Sequence, residues 1–323
     1  MFIRDLLKRK QPSFSFEFFP PRNEEGFNQL YATIAELQRL RPTFVSVTEG
    51  AGGSTRRKTA DIVVKIRSEL GQEAMAHLTC VGSTREEIAT ALDNLQERGM
   101  ENVLSLRGDP PQGQTHFRPV PGGFLYANEL TAFIRSRYPF CMGVAGYPEG
   151  HLEAPDLVTD LENLKRKVDA GADFVITQLF FDNRFYFQFV EQTSAIGITV
   201  PIIPGIMPVI NVGQIKRFTQ VCGASIPPKM LAKLEAIQDD PEAVTQFGIE
   251  HATAQCAELL AQGVPGIHFY TLNRSRSSWK ILENLKGTGG PAEHPRENPP
   301  ARSSTSSEDR RNIRGHPDGP EGQ

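Results

Sequence analysis

A short aromatic segment near the N-terminus contains one acidic side chain whose position suggests catalysis. Residues 14–19 read Phe-Ser-Phe-Glu-Phe-Phe and are followed by two prolines, a pattern typical of a β-strand that ends there. Because strand side chains alternate between two faces, Glu17 lies opposite the phenylalanines at 14, 16 and 18. Burying a carboxylate without a partner costs free energy. A salt bridge at a strand end is one explanation; we favour a catalytic acid, since barrel enzymes keep such groups at strand ends.

The rest of the chain supplies the elements that would position such an acid. Strand-like and amphipathic helical segments alternate eight times, which predicts a (β/α)8 TIM barrel in the α/β class. A doubly wound sheet is the alternative, but no GxGxxG follows the first strand. Two helices are predicted in the insert after strand seven, at 211–221 and 228–237, and a longer helix follows. The predicted strands lie at about 13–18, 43–48, 74–79, 102–107, 139–146, 173–180, 200–206 and 266–271.

A barrel predicts that polar residues collect at the carboxyl ends of the strands, where the active-site loops emerge. Seven of the eight predicted strands meet this expectation. Each residue alone has a structural explanation, such as a hydrogen bond at a strand end, but the set as a whole indicates an active site. Its members are Glu17, Thr48, His77, Arg107 with Asp109, Tyr147, Gln178, and Tyr270 with Arg274.

Composition limits the classes of function. The chain has 323 residues, a hydrophobic fraction of 39% and a net charge of −3, so no broad nucleic-acid-binding surface is expected. Its four cysteines show neither CxxC nor metal-ligand spacing, which predicts reduced thiols and no metal site. Residues 1–10 suit a short amphipathic helix rather than a signal peptide, and no segment is apolar enough to cross a membrane. We therefore expect a cytoplasmic protein that does not bind membranes.

The composition changes near the C-terminus. From Gly287 onward the sequence is rich in Pro, Gly, Ser and charged residues, and Ile313 is its only large aliphatic residue. Such a segment cannot bury enough apolar surface to offset its ordering entropy. We predict one catalytic barrel domain over residues 1–286 and a disordered tail over 287–323.

The motifs together resemble the methylenetetrahydrofolate reductase family, flavoenzymes that make 5-methyltetrahydrofolate. The resemblance starts with Ser-Phe-Glu-Phe-Phe-Pro-Pro-Arg at 15–22 and recurs in order along nearly the whole predicted barrel. It implies FAD as cofactor, NADH or NADPH as electron donor, 5,10-methylenetetrahydrofolate as substrate and a homo-oligomeric assembly. Its further segments are 44–48, 50–56, 77–80, 104–111, 145–151, 164–172, 176–182, 204–208 and 268–274.

The resemblance assigns roles to single positions. Arg107 matches a flavin contact, although a structural ion pair would explain it nearly as well, and Lys167 could equally be a solvated helix lysine. Asp109 matches an aspartate between flavin and pterin, where a negative charge would strengthen the reduced flavin as a hydride donor. The positions that the resemblance implies for cofactor binding are Thr48, His77, Arg107, Gly108, Asp109, Tyr126, Ala127, Asn128, Tyr147, His151, Asp160 and Lys167.

The resemblance also implies a ping-pong reaction in which the nicotinamide reduces FAD and leaves before the folate binds. Glu17 would then protonate N10 of the folate, and the folate would also contact Asp109, Gln178, Tyr270 and Arg274. A carboxyl group that donates a proton near neutral pH must be partly protonated there, which burial favours. The product would supply methyl groups for methionine synthesis.

Two positions depart from the family pattern, and two other functions stay open. Glu49 stands where family members often have an aromatic residue, and Val212 aligns with a Phe that covers the substrate in some members. One alternative is a non-catalytic flavin- or folate-binding subunit of a larger complex. The other is an aldolase-type or phosphosugar barrel, but no predicted strand ends in the lysine that a Schiff base needs. The sequence leaves NADH against NADPH and polyglutamate preference open.

Overall fold

The computed structural model describes residues 1–9, 11–110, 117 and 119–287. Within them, nine strands pair in parallel into one sheet, and this confirms the predicted α/β barrel. The strands follow the order β7-β6-β5-β4-β3-β2-β1-β9-β8. They are β1 Ser13–Phe18, β2 Phe44–Val47, β3 Ala74–Thr79, β4 Asn102–Leu106, β5 Cys141–Gly146, β6 Phe174–Thr177, β7 Ile202–Ile203, β8 Gly205–Ile206 and β9 Gly266–Tyr270.

The two shortest strands are halves of one barrel strand. β7 pairs with β6, and β8 pairs with β9, so the segment 202–206 closes the barrel. The break falls at Pro204, which has no N–H to donate. Its carbonyl accepts from His268 N–H at 2.9 Å, and Gly205 N–H donates to Thr177 Oγ1 at 2.9 Å. The barrel therefore has eight strand positions, as the sequence predicts.

Helices surround the barrel and begin where the sequence places capping residues. Asp156 caps α6 (Leu157–Asp169) by accepting from Thr159 N–H at 2.7 Å, which starts this helix at residue 157. Thr84 and Glu87 form a capping box before α4. The helices are α1 Ile3–Leu6, α2 Glu24–Gln38, α3 Arg56–Leu70, α4 Arg85–Glu97, α5 Ala127–Arg137, α6 Leu157–Asp169, α7 Asn183–Ala195, α8 Val212–Cys222, α9 Pro228–Ala236, α10 Pro241–Ala261 and α11 Arg276–Gly287.

The alternation along β1 places its two kinds of side chain as predicted. Phe16 and Phe18 are buried between the barrel wall and the helices, and Phe16 stacks on Phe269 of β9. Ser15 and Glu17, on the other face, contact His268 of β9. β1 therefore supplies part of the outer core with one face and the polar interior of the barrel with the other.

The two ends of the barrel differ. At the amino end of the strands, Ile3 of α1 is buried in a cluster with Phe44, Leu104 and Phe174, and its N–H donates to Asn102 Oδ1 at 2.8 Å. This end is therefore plugged by apolar side chains. The predicted N-terminal helix is confirmed, although it has only four residues. The opposite, carboxyl end carries the polar residues.

The predicted domain division lies mostly outside the described residues. Gly287, which we assigned to the disordered tail, is the last residue of α11. The remainder of the predicted tail, residues 288–323, lies outside the described part of the chain, and its disorder stays a prediction. No helix among the described residues is long and apolar enough to cross a membrane.

Candidate active site

Glu17 sits in the polar interior of the barrel, close to two histidines. Its side chain is 8% exposed, and its Oε2 lies 3.3 Å from His77 Nε2 and 3.5 Å from His268 Nε2. In the described part of the chain no lysine or arginine forms an ion pair with this carboxyl group. The described residues therefore give Glu17 no permanently charged partner, and the salt-bridge explanation considered for it is not supported.

His77 is a neutral neighbour of this carboxyl group. Burial lowers the pKa of His77 to about 4, and the nearby Glu17 offsets this only in part. Its Nε2 is close to Glu17 but makes no aligned hydrogen bond. His77 therefore places no positive charge beside this carboxyl group.

A cleft of about 460 Å³ opens beside the ends of β4 and β5 and the N-termini of α5 and α6. We call it the β4–β5 cleft. Its lining combines three cationic side chains, Arg107, Arg166 and Lys167, with aromatic and acidic groups. It brings together eight of the twelve positions that the resemblance implied for cofactor binding, namely Arg107, Tyr126, Ala127, Asn128, Tyr147, His151, Asp160 and Lys167.

Lys167 points into this cleft rather than into solvent. Its Nζ donates to the carbonyl of Ala145 at 2.5 Å and lies 5.7 Å from the centre of the Tyr147 ring. Burial lowers the pKa of Lys167 to about 8, although Asp160 nearby opposes this shift. The structure therefore does not support the alternative that Lys167 is a solvated helix lysine.

Tyr147 lies in the lining of the cleft together with His151 and Asp160. Asp160 Oδ2 accepts from His151 N–H at 3.2 Å, and the rings of His151 and Tyr147 meet edge to face at 4.6 Å between centroids. Glu153 N–H donates to His151 Nδ1 at 3.1 Å, so the imidazole proton is on Nε2. Burial lowers the pKa of His151 and raises that of Asp160. Burial likewise raises the pKa of the Tyr147 phenol, which stays neutral.

Arg107 is paired, but with a residue that the sequence analysis did not single out. Its guanidinium forms two hydrogen bonds with Glu153, at 2.5 and 2.8 Å, and lies over the Phe117 ring. These hydrogen bonds raise the pKa of Arg107. The group is a fixed planar cation at the edge of the cleft, a geometry that suits an anionic or π-rich ligand.

Gly108 and Asp109 follow Arg107 at the end of β4. Gly108 has φ +88°, and a Cβ there would lie 2.6 Å from Val81 and 2.7 Å from Thr79, so only glycine fits this turn. Asp109 is exposed, and its carbonyl accepts from Gly52 N–H at 3.1 Å. Its charge acts on both Arg107 and Tyr147. The turn thus presents a carboxylate to open space beside the β4–β5 cleft.

The other residues implied for folate binding, besides Glu17 and Asp109, lie at or just after the ends of β6 and β9. Gln178 is half-buried, and its Oε1 accepts from Leu179 N–H at 2.9 Å. The Tyr270 hydroxyl donates to the Thr177 carbonyl at 2.6 Å, and its ring meets His268 edge to face. Burial raises the pKa of Tyr270 well above its ordinary range, with Glu17 and Tyr147 contributing. Arg274 is exposed.

The two departures from the family pattern have defined positions. The Glu49 side chain is completely buried, where it accepts from Thr79 N–H at 2.7 Å and lies 2.7 Å from Arg56 Nε. Burial raises the pKa of Glu49, and Arg56 opposes this shift. Val212, the first residue of α8, is buried in an apolar cluster with Phe181 and Met207.

Several cleft residues escaped the sequence analysis. Glu153, Asn163 and Arg166 line the cleft, and Thr159 lies with them. Helical spacing could have found Asn163, because it lies three residues after Asp160 and four before Lys167. Beside Gly143, the space that a Cβ would occupy is filled by the side chains of Phe174 and Leu104. No cluster of metal-ligating side chains occurs among the described residues.

Comparison with known proteins identifies the family. The sequence profile of the family Methylenetetrahydrofolate reductase matches residues 2–286. The chain is 40% identical over 275 residues to 5,10-methylenetetrahydrofolate reductase of Escherichia coli, covering 85% of this chain and 91% of that protein. The chain belongs to the methylenetetrahydrofolate reductase family. It is also 44% identical over 294 residues to methylenetetrahydrofolate reductase (NADH) 1 of Arabidopsis thaliana, covering 88% of this chain and 50% of that protein.

The relatives differ in length, and solved structures agree in fold. The chain spans about half the length of the plant and yeast relatives that it matches. An uncharacterised Clostridium thermocellum protein that binds two copies of 5-methyl-5,6,7,8-tetrahydrofolic acid superposes with a TM-score of 0.60. That likeness covers 89% of this chain and 100% of that chain at 14% identity, and it shows the barrel fold alone.

Proposed function

We propose that the protein reduces 5,10-methylenetetrahydrofolate to 5-methyltetrahydrofolate with electrons from NADH or NADPH, passed through a bound FAD. Family membership over residues 2–286 supports the reaction. The observation that carries the proposal for this chain is Glu17, a carboxyl group buried at the barrel mouth beside a neutral histidine and unpaired with any described lysine or arginine.

The β4–β5 cleft fits a flavin nucleotide by the chemistry of its side chains. The phosphates would be held by the cationic side chains of Arg107, Arg166 and Lys167. Asp160 would accept hydrogen bonds from the sugar and base, and Asn128 would donate hydrogen bonds to them. The Tyr147 ring offers a flat apolar surface beside them. The volume lies within the range of ligand pockets. When bound, FAD supplies the hydride that it has accepted from the nicotinamide.

Asp109 and Gln178 would orient the folate. The Gln178 amide has both a donor and an acceptor, which suits a pterin edge. Asp109 is an exposed carboxylate whose charge acts on the cleft residues Arg107 and Tyr147. Tyr270 and Arg274 lie at the end of β9, and Arg274 is exposed and able to meet a carboxylate of the substrate.

Glu17 would donate its carboxyl proton to N10 of the folate. Protonation of N10 breaks the bond between N10 and the bridging carbon, and the resulting cationic carbon accepts hydride to become the methyl group. Buried general acids of this kind contribute about 10²–10⁴-fold to rate. His77 would stay neutral during the reaction because burial disfavours its charged form.

The experiment is an anaerobic stopped-flow measurement on the purified protein reconstituted with FAD. NADH or NADPH should bleach the flavin absorbance, and methylenetetrahydrofolate added afterwards should restore it with formation of 5-methyltetrahydrofolate, identified by mass spectrometry. Comparing the rates of flavin reduction by NADH and by NADPH also identifies the electron donor. Sedimentation of the same sample gives the oligomeric state, which we expect to be a homo-oligomer. Failure to take up flavin, or flavin reduction without folate reduction, would overturn the proposal.

A further inference from the structure

A chain of polar contacts continues from Glu17 into the closed interior of the barrel, away from the β4–β5 cleft. Ser15 Oγ lies 2.7 Å from His268 Nδ1, and His268 Nε2 lies 3.5 Å from Glu17 Oε2. Ser15 and His268 are both completely buried. Neither belongs to the cleft, and the proposed function does not use them.

The distances favour one direction for the bond between Ser15 and His268. A serine hydroxyl has one proton, and hydroxyl bonds to oxygen normally span about 2.5–3.0 Å. If Ser15 accepted from Nδ1–H, its own proton would have only the Ile267 carbonyl, at 3.5 Å, as an acceptor. If Ser15 donates to Nδ1, that proton is used at 2.7 Å. The second arrangement uses the Ser15 proton in this short bond and places the imidazole proton on Nε2, where two acceptors, Glu17 Oε2 and Ser46 Oγ, each lie 3.5 Å away.

The Nε2–H then faces the carboxyl group of Glu17. The same nitrogen lies 3.5 Å from the Ser46 hydroxyl, which has its own proton and two lone pairs. Catalytic hydrogen bonds are often long before the substrate binds and shorten in the complex. Phe44 stacks on one face of the His268 ring with centroids 5.9 Å apart, so the ring is held in its plane.

We propose that Ser15 and His268 are positioning residues for Glu17: Ser15 fixes the His268 tautomer, whose Nε2–H donates to Oε2 and keeps the acidic proton on Oε1. This inference rests on the proposed function. When Oε1–H passes its proton to N10 of the folate, the O–H bond breaks, an N–H bond forms, and the new carboxylate is stabilised by the Nε2–H. Solvent returns the proton to Glu17 after the product leaves.

Other titratable groups around Glu17 do not substitute for this pair. His77 on β3 approaches the same oxygen at 3.3 Å, but no second partner among the described residues sets its tautomer. Tyr270 on β9 interacts with Glu17 electrostatically, and its hydroxyl proton is already donated to the Thr177 carbonyl. In the described part of the chain, only His268 has both a second partner that sets its tautomer and a nitrogen facing Oε2.

The first test measures the tautomer itself. In ¹⁵N-labelled protein, long-range ¹H–¹⁵N correlations distinguish a protonated Nε2 from a protonated Nδ1, and His268→Gln identifies the signals of His268 by their loss. We expect the Nε2–H form in the wild type and a mixture of the two in Ser15→Ala. Ser13→Ala is the matched control, because Ser13 is a buried serine two residues earlier on the same face of β1 and its hydroxyl makes no hydrogen bond. A wild-type His268 protonated on Nδ1, or on both nitrogens at neutral pH, would overturn the proposal.

The second test measures the consequence by stopped-flow. His268→Leu should slow flavin reoxidation by methylenetetrahydrofolate about tenfold, the value of one hydrogen bond to a charged group. Ser15→Ala should slow it less, in proportion to the fraction of His268 that leaves the Nε2–H form, and both variants should leave flavin reduction by the nicotinamide unchanged. Because Nε2–H donation favours the carboxylate, its loss should move the pH midpoint of folate reduction upward by up to about one unit. His268→Gln, which keeps an N–H donor, should retain more activity than His268→Leu. Equal slowing of both half-reactions, or an unmoved midpoint, would contradict the proposal. The tautomer measurement stands even if no folate is reduced, so the two proposals can fail separately.

Discussion

The β4–β5 cleft predicts that flavin binding weakens at alkaline pH through one residue, Lys167. Its pKa is lowered to about 8 by burial, so the side chain is cationic below this pH and neutral above it. A cationic Lys167 binds a phosphate by a charge-assisted hydrogen bond, and a neutral amine does not. Affinity for FAD should therefore be constant from neutral pH to near pH 8 and fall above it.

The magnitude follows from the fraction of protein in which Lys167 carries a proton. Well above its pKa, that fraction falls tenfold for each pH unit, so the dissociation constant for FAD should rise by roughly tenfold per unit. Replacing the residue by methionine removes the cation at every pH. A hydrogen bond to a charged group contributes about 1.5–3 kcal/mol, so Lys167→Met should weaken FAD binding by roughly 10- to 100-fold near neutral pH.

The assay is quenching of flavin fluorescence on titration of flavin-free protein, repeated across the alkaline range. Lys165→Met is the matched control, because Lys165 lies on the same helix but pairs with Asp169 at the surface. The control should keep the wild-type affinity and slope, whereas Lys167→Met should lose both. A wild-type dissociation constant independent of pH, or the same alkaline slope in Lys167→Met, would refute the reasoning.

Three other predictions concern the neighbouring residues and the C-terminus. Asp109→Asn should raise the midpoint potential of the bound flavin, because loss of a negative charge beside it favours added electrons; an unchanged or lower potential would contradict the position of Asp109. Burial lowers the pKa of His77 from 6.5 to about 4 in the folded protein. Keeping His77 neutral therefore costs no unfolding free energy above pH 6.5, and it reduces the unfolding free energy progressively as pH falls toward 4. Between pH 7 and pH 5, the unfolding free energy of the wild type, measured with urea, should fall by about 2 kcal/mol through this group. In His77→Asn the fall over the same range should be smaller by about 2 kcal/mol. Deleting residues 288–323 should leave activity and melting temperature nearly unchanged; a drop of several degrees would show that the segment packs on the barrel.

Much of the fold was predictable because each barrel strand is a short apolar run bounded by turn residues. The bounds of β1 and β3 agree with the prediction to the residue. The division of strand seven at Pro204 was not predicted, because the hydrophobic periodicity of a sequence does not show where a backbone N–H donor is missing. The single turn of α1 was also shorter than its amphipathic spacing indicated, because four residues suffice to plug the barrel end.

The candidate site was predictable where residues belong to strands and less so where they belong to loops. His268 was within reach of the sequence, because it lies two residues before Tyr270 and therefore on the same face of β9. The pairing of Arg107 with Glu153 depends on the path of the loop after β5, which spacing does not define. The burial of Glu49 likewise depends on Arg56, seven residues away across a turn.

The most direct test of the proposed function is the separation of the two half-reactions in Glu17→Gln. Glutamine keeps the size and hydrogen-bonding capacity of the side chain and removes the acidic proton. Flavin reduction by NADH or NADPH needs no proton donor to the folate, so stopped-flow should find its rate close to wild type. Flavin reoxidation by methylenetetrahydrofolate should slow by about 10²–10⁴-fold or more. If both rates fall equally, Glu17 has a structural role; if folate reduction stays near wild type, Glu17 is not the acid and Asp109 becomes the candidate.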